Sequence, residues 1–316
     1  MNLHQLRFIQ EASRRNLNLT EVAKALYTSQ PGVSKAIIEF EEELGIDIFS
    51  RHGKRIKNIT EPGQEVLRCI EIIMREVDNL KKISDQYSNQ SSGTLSIATT
   101  HTQARYVLPI PVSKLRDSYP DVVISLHQGA PSQVAQMLLD GIAEIGIATE
   151  SLADYSDLVT LPCYEWEHVL VFPKDHPFAS KNQISLEDLS KEPIITYHPS
   201  FTGRTRIDKA FAAKNLNPQI VLEAIDSDVI KTYVQLGLGI GIVAEMAFRE
   251  GVSDELVIRS GANLFGKNTA RIAFKRGAYL RNFVYDFASL LSDNLTHDLV
   301  LKAIEDDHLN QNKKFT

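Results

Sequence analysis

The sequence predicts an α+α/β architecture: a winged helix-turn-helix at the N-terminus, one long linker helix, and a larger C-terminal α/β domain. Three observations carry this. Residues 19–49, LTEVAKALYTSQPGVSKAIIEFEEELGIDIF, read as two short helices around a tight turn. Apolar residues at alternating spacings of four and three then run from Val66 to Leu80, the pattern of a long helix. From Thr94 onward, short β-branched runs alternate with helical stretches, as in a mainly parallel sheet. At 316 residues the chain has room for more than one domain.

An amphipathic helix opens the chain from about Leu3 to Arg15. Asn18 caps the next helix, and Glu21 three positions later completes a capping-box-like pattern. Val22, Ala23 and Leu26 supply its apolar face. Tyr27-Thr28 breaks the pattern, Ser29 caps the following helix, and Pro31 falls in its first turn, where a missing N–H costs nothing. Val33, Ile37, Phe40 and Leu44 then face inward, and Gly45 closes the helix. That leaves Gln30, Ser34 and Lys35 outside near the helix start. An amide, a hydroxyl and an ammonium there suit base edges and phosphates in a DNA major groove. The segment SRHGKRIKNIT places Arg51, Lys54, Arg55 and Lys57 around Gly53, a basic wing for the phosphate backbone.

These residues resemble the N-terminal domain of LysR-type transcriptional regulators. The family's A-x-x-L-x-x-[ST]-Q-[PS]-x-[VL]-S pattern reads here as Ala23, Leu26, Ser29, Gln30, Pro31, Val33 and Ser34. Its E-x-x-L-G-x-x-[LI]-F reads as Glu41, Leu44, Gly45, Ile48 and Phe49, and its T-x-x-G as Thr60 and Gly63. The resemblance implies a DNA-binding set of Ser29, Gln30, Pro31, Ser34, Lys35, Arg51, Lys54 and Arg55. The formal net charge of −6 is no obstacle, because binding needs a local positive face rather than a basic whole. The two cysteines, Cys69 and Cys163, lack metal-type spacing and indicate neither a zinc site nor a disulfide framework. The N-terminus opens directly into an amphipathic helix and no apolar run is long enough to span a bilayer, so the expected location is cytoplasmic.

The DNA-binding domain is expected to occupy 1–59. A linker helix follows, capped by Thr60, with Pro62 in its first turn, reaching about Tyr87; with its hinge it fills 60–93. Val66, Ile70, Ile73, Val77 and Leu80 form a heptad seam suited to dimerisation. In the family this helix pairs two subunits antiparallel, which implies a homodimer or a homotetramer built as a dimer of dimers. NQSSG, 89–93, reads as a hinge.

Residues 94–316 are expected to form the effector domain. Strands are predicted at LSIAT (95–99), VVISLHQG (122–129), AEIGIAT (143–149), HVLVFP (168–173), PIITY (193–197), IVLEAI (220–225) and GIGIVA (239–244). The family resemblance implies two lobes, akin to periplasmic solute-binding proteins: lobe I at about 94–164 and 267–305, lobe II at about 165–266. Sheets of this kind bind ligands beyond the carboxyl ends of their strands. There TTHTQARY (99–106) offers Thr100, Thr102 and Gln103 beside a helix start, Thr149 closes the third strand, and HPSFTGRTR (198–206) supplies Thr202 and Gly203 with Arg204 and Arg206 nearby.

TTHTQARY, the TGR-R-ID of 202–208 and DSDVIKTYVQLGLGIGIVAE (226–245) narrow the resemblance to the CysB/Cbl subfamily, which controls cysteine biosynthesis and sulfonate use. It implies an effector pocket at Thr100, Thr102, Gln103, Thr149 and Thr202, with N-acetylserine, O-acetylserine, sulfate, thiosulfate or adenosine phosphosulfate as the inducer. Its implied partners are promoter DNA and RNA polymerase. Trp166, beside the lobe crossing, either lines the pocket or packs in the core.

An enzyme finds little support. His101, His127, His168, His176 and His198 show no H-x-x-x-H or H-E-x-x-H spacing, and neither a G-x-S-x-G elbow nor a phosphate loop occurs. GLGIG (237–241) lacks the third spaced glycine of a dinucleotide motif and reads as helix–strand packing. A solute-binding protein would account for the C-terminal domain but not for the first part of the chain.

Overall fold

The computed structural model describes residues 1–53, 55–89, 91–201, 203–248 and 255–312, the stretch 306–312 by its backbone alone. It divides into two units, Met1–Ser84 and Asp85–Thr316.

The first unit begins with α1 (Leu3–Arg14), where Asn2 and Gln5 bond each other's backbone N–H in a capping box. Positive φ at Asn16 and Leu17 then turns the chain into α2 (Leu19–Ala25). Asn18 caps α2 through the N–H groups of Thr20 and Glu21. The Glu21 carboxylate turns to Lys24 at 2.8 Å, so the capping box is one-sided. In α3 (Gln30–Leu44), Ser29 accepts from Gly32 N at 3.2 Å, and Gly45 ends the helix at φ +69°. Val33, Ile37 and Phe40 are buried as their spacing requires, but Leu44 is exposed and Glu41 takes the fourth inward position.

Glu41 is the polar pin of this unit. Its Oε1 accepts from the N–H groups of Ile48 (2.8 Å) and Phe49 (2.9 Å), and its Oε2 pairs with Arg51. It thereby fixes the start of the hairpin β1 (Phe49–His52) and β2 (Arg55–Ile59). Thr60 starts α4 (Glu61–Ser88) by accepting from Gly63 N at 2.9 Å. A Cβ at Gly63 would lie 2.1 Å from the Ile48 carbonyl oxygen, so only glycine lets α4 pass the hairpin this closely. Leu67, Ile70 and Met74 pack into the core formed by α1, α2 and α3. The heptad seam is therefore divided. Ile70 belongs to the domain core, whereas Ile73 and Leu80 remain exposed and Val66 and Val77 are half-buried.

The second unit contains β3 (Ser92–Thr99), α5 (His101–Tyr106), α6 (Pro109–Ser118), β4 (Asp121–Gln128), α7 (Pro131–Leu139) and β5 (Ile145–Ala148). After a 3-10 turn at Glu150–Asp154 come β6 (Leu158–Pro173), α8 (Leu186–Leu189), β7 (Pro193–Tyr197), α9 (Arg204–Ala213), β8 (Gln219–Ala224), α10 (Ser227–Gln235) and β9 (Ile240–Ala244). β10 (Leu256–Ser260), α11 (Ala262–Phe265), β11 (Lys267–Lys275), α12 (Asn282–Leu291) and α13 (His297–Asn312) complete it.

Two five-stranded sheets result among the described residues, β4-β3-β5-β11-β6 and β10-β6-β9-β7-β8. In each, three strands run parallel (β4, β3, β5 and β8, β7, β9), and the rest join antiparallel. β6 serves both: residues 158–167 pair with β11, and His168 onward pairs with β9. β6 starts ten residues before its predicted HVLVFP, and β10 and β11 lie in segments for which no strand was predicted. Charges at Glu165, Glu167, Lys267 and Arg271 and the proline at 162 conceal β11 and the first half of β6. Pro162 is tolerated because the register slips beside it, leaving Cys163 as the extra residue. Cys163 is buried, which pushes its thiol up to about 12 and leaves it unreactive.

The glycines of GLGIG serve packing. A Cβ at Gly239 would meet the Pro193 carbonyl oxygen at 2.4 Å, and one at Gly241 would meet Val234 at 2.9 Å. The expected hinge at 89–93 is shorter than predicted, because Ser92 and Gly93 already belong to β3. The buried Arg281 guanidinium donates there to the carbonyls of Asp85 (3.4 Å), Asn89 (2.6 Å) and Ser92 (2.9 Å). No helix among the described residues is long and apolar enough to cross a membrane.

Candidate DNA-reading helix and effector cleft

The exposed start of α3 carries Gln30 and Pro31, with Ser34 half-buried one turn on. Lys35 is largely exposed and only 3.6 Å from Glu39, a loose pair that competes weakly with a phosphate. The first turn holds no acidic side chain, so the partial positive charge of the helix N-terminus is unopposed. Ser29 spends its hydroxyl on the cap. On the wing, Arg55 and Lys57 are exposed, but Arg51 is tied to Glu41 and is not a free cation. Lys54 lies outside the described residues. Glu41 was missed as a structural residue, although its place four residues after Ile37 put it on the apolar face.

In the second unit, Thr100, Thr102 and Gln103 lie at the carboxyl end of β3 and Thr149 at that of β5, all buried. The Thr102 hydroxyl lies beside the Tyr197 hydroxyl at the end of β7 in the other lobe. Tyr197 also contacts Ser227 Oγ at 2.6 Å and accepts from Ala244 N at 3.0 Å; burial holds its hydroxyl protonated. Gln103 Oε1 accepts from Tyr164, and Thr149 Oγ1 lies 3.1 Å from Ser151 Oγ. α5 has only six residues, so its dipole is a minor attraction for an anion. Gly203 begins the longer α9 at φ +69°, where a Cβ would stand 2.6 Å from His168 and 2.9 Å from Trp166. The α9 backbone can close on that pair only without a side chain. Thr202 lies outside the described residues.

Of the arginines of HPSFTGRTR, Arg204 is taken up by internal pairs, whereas Arg206 holds a half-exposed pair at the cleft mouth. Arg204 is buried against Asp208 (2.8 Å) and Glu223 (2.7 Å) and donates to the Tyr197 carbonyl at 2.7 Å. Burial opposes its charge, but the two carboxylates outweigh that and raise its pKa. Arg206 crosses the cleft to Glu150 at 3.0 Å. On the opposite side, Tyr106 of α5 donates to Asp228 of α10 at 2.5 Å, and Lys231 reaches both. Burial works against the Asp228 charge, yet the bonds from Tyr106 and Lys231 hold its carboxyl below the usual range. His101, Asp226 and Asp228 present ligand atoms within 4.8 Å of one another. Asp226 is spent capping α10 and Asp228 is neutralised by Lys231, so the cluster does not favour a cation.

Between these two bridges the lobes enclose buried polar groups. Thr100 Oγ1, Trp166 Nε1 and Asn268 Oδ1 have no hydrogen-bond partner among the described residues. Trp166 is fully buried, so it is both core and candidate lining. Asn268 escaped sequence reading because nothing in its neighbourhood marked it as a strand residue facing Trp166. A cavity of about 800 Å³ opens at the cleft mouth, lined by both lobes through Ser132, Thr149, Glu150, Gly203, Arg206 and Lys209.

A helix-turn-helix unit joined to a two-lobed α/β unit with a polar cleft defines a ligand-responsive transcriptional regulator. Residues 3–64 match the family described as bacterial regulatory helix-turn-helix protein, lysR family, and residues 88–296 match the LysR substrate binding domain. The chain is 52% identical over 305 residues to the HTH-type transcriptional regulator CysB of Burkholderia cenocepacia, covering 96% of this chain and 97% of that protein. It is 48% identical over 304 residues to the regulator cbl of Escherichia coli K12, covering 96% of each. The crystal structure of the cofactor-binding domain of the Cbl regulator superposes with a TM-score of 0.65 at 44% identity, over 69% of this chain and 95% of that one. The chain belongs to the LysR family of transcriptional regulators and is of the CysB/Cbl type.

Proposed function

We propose that the chain controls sulfur-assimilation genes by reading promoter DNA as a homodimer or homotetramer, under the command of a small acid held between its lobes. Gln30, Pro31, Ser34 and Lys35 contact the major groove, and Arg55 and Lys54 the phosphates, with Ser29 capping and Arg51 bracing the wing. Thr100, Thr102, Gln103, Thr149, Thr202, Gly203 and Trp166 surround the effector, N-acetylserine, O-acetylserine, sulfate or thiosulfate. The observation that supports this most is the convergence of buried hydroxyls from β3 and β5 with the end of β7, where Thr102 meets Tyr197 across the cleft. A ligand seated there touches both lobes and favours one arrangement of them only as far as it binds that arrangement better. Carried through the linker helices, the shift alters head spacing and contact with RNA polymerase. A regulator of sulfonate-utilisation genes is the second reading, supported by the Cbl relatives.

The test uses the full-length protein in gel-shift titrations on a candidate operator. Thr102→Val is expected to abolish the response to acetylserine or sulfate while operator binding stays measurable. A variant that still responds as wild type does places the effector elsewhere.

A further inference from the structure

Three neighbouring side chains are placed to recognise something other than a plain oxyanion. Asn268 of β11 is the cross-strand partner of Trp166 of β6, so the two side chains stand side by side on one face of the sheet. His168, two residues further along β6, shares that face. Its ring lies 5.0 Å from Trp166, and its Nδ1 is 3.4 Å from Asn268 Nδ2. Tyr164, two residues before Trp166, carries the hydroxyl bonded to Gln103. One strand face thus runs from the candidate effector residues to Asn268, and Gly203 at the start of α9 closes over His168 and Trp166.

The unpaired atoms on this face are of opposite kinds. Trp166 Nε1 is a donor and Asn268 Oδ1 an acceptor, on residues 1% and 0% exposed, with no hydrogen bond among the described residues. Leaving either unpaired in the interior carries a real penalty, so paired orphans at a cleft point to a ligand that completes them. Sulfate and thiosulfate dianions have acceptor atoms only. They can take the Trp166 and Thr100 donors but offer nothing to Asn268 Oδ1.

Resting on the reading of the cleft as the effector site, we propose that Asn268, beside Trp166, is a specificity-determining residue that selects small acids carrying an N–H or O–H donor over acceptor-only oxyanions. The acid end lies towards Thr100, Thr102 and the start of α9, whose first turn holds no acidic residue. The donor end lies against Asn268.

The full-length protein, titrated calorimetrically with N-acetylserine and with sulfate, tests this. In Asn268→Ala, N-acetylserine should weaken by about tenfold or more while sulfate changes by less than about twofold. Asn268→Leu keeps the forked side-chain shape without the amide and should show the same split, which guards against a variant that fails to fold. Equal losses for both probes, no loss for either, or a larger loss for sulfate overturns the assignment. If wild type binds sulfate but not N-acetylserine, the cleft reading stands and this proposal falls. If it binds neither, the cleft reading itself has failed, and the selectivity falls with it.

Discussion

The DNA-facing surface of α3 and the wing, and the inter-lobe cleft, both hold polar side chains without a protein partner among the described residues, yet at opposite cost. Gln30 and Arg55 stand in solvent, where water satisfies them and DNA need only exchange for that water. Thr100, Trp166 and Asn268 are buried, where an unpaired group costs about 1–3 kcal/mol. An exposed reader can tolerate many sequences and grade them by affinity. If the cleft takes the effector as proposed, burial makes it the selective half of the molecule. Glu41 is the control for both, being buried like the cleft residues but fully paired.

That contrast can be attacked by substitution, and the largest effect is expected at the control. Glu41→Leu strands the Ile48 and Phe49 N–H groups and the Arg51 guanidinium, and should destabilise the N-terminal unit by about 3–5 kcal/mol. A melting temperature within a degree or two of wild type would show that Glu41 is not the pin described. Gln30→Ala should weaken operator binding by about 1–3 kcal/mol and relax base discrimination at one position. Unchanged operator preference would remove Gln30 from the reading set.

Thr100→Val carries the sign that best separates the two regions. Its hydroxyl has no partner among the described residues and makes no cap bond to α5, so its loss should stabilise the ligand-free protein by about 1 kcal/mol while weakening effector binding. Destabilisation on thermal melting would mean that the hydroxyl is paired. The smallest effect is expected on the wing. Arg55→Gln should weaken all DNA sequences about equally and lower the salt slope of binding by roughly 1. Arg51→Gln should instead act mainly on stability, because its partner is Glu41. If the two arginines behave alike in salt titrations, the distinction between them fails.

Much of the N-terminal unit was legible because its signals are local. Asn18, Ser29, Pro31, Gly45 and Thr60 each act within a few residues, and each does in the structure what its position predicts. The errors arose where one residue answers to a distant one. Leu44 and Glu41 compete for the same face of α3, and the hairpin's unpaired N–H groups decide for the carboxylate. Arg204 and Arg206 were placed only as near the helix start; their pairing with Glu223 and Glu150, distant in sequence, could not be read locally. The hinge at 89–93 looked loose because its tie, Arg281, comes from near the other end of the chain.

In the cleft, Thr100, Thr102, Gln103 and Thr149 were readable from strand ends followed by helix starts, whereas Asn268 was not. It lies in a charged, irregular strand whose place depends on β6 crossing between two sheets. By itself, then, the sequence determined the helix-turn-helix, the caps, the linker helix and most of the parallel strands, because periodicity and capping act over a few residues. The tertiary structure alone decided which charges are spent on internal pairs and which buried polar atoms lack a partner among the described residues. Those outcomes depend on desolvation and on partners brought together from far along the chain, which no local pattern records.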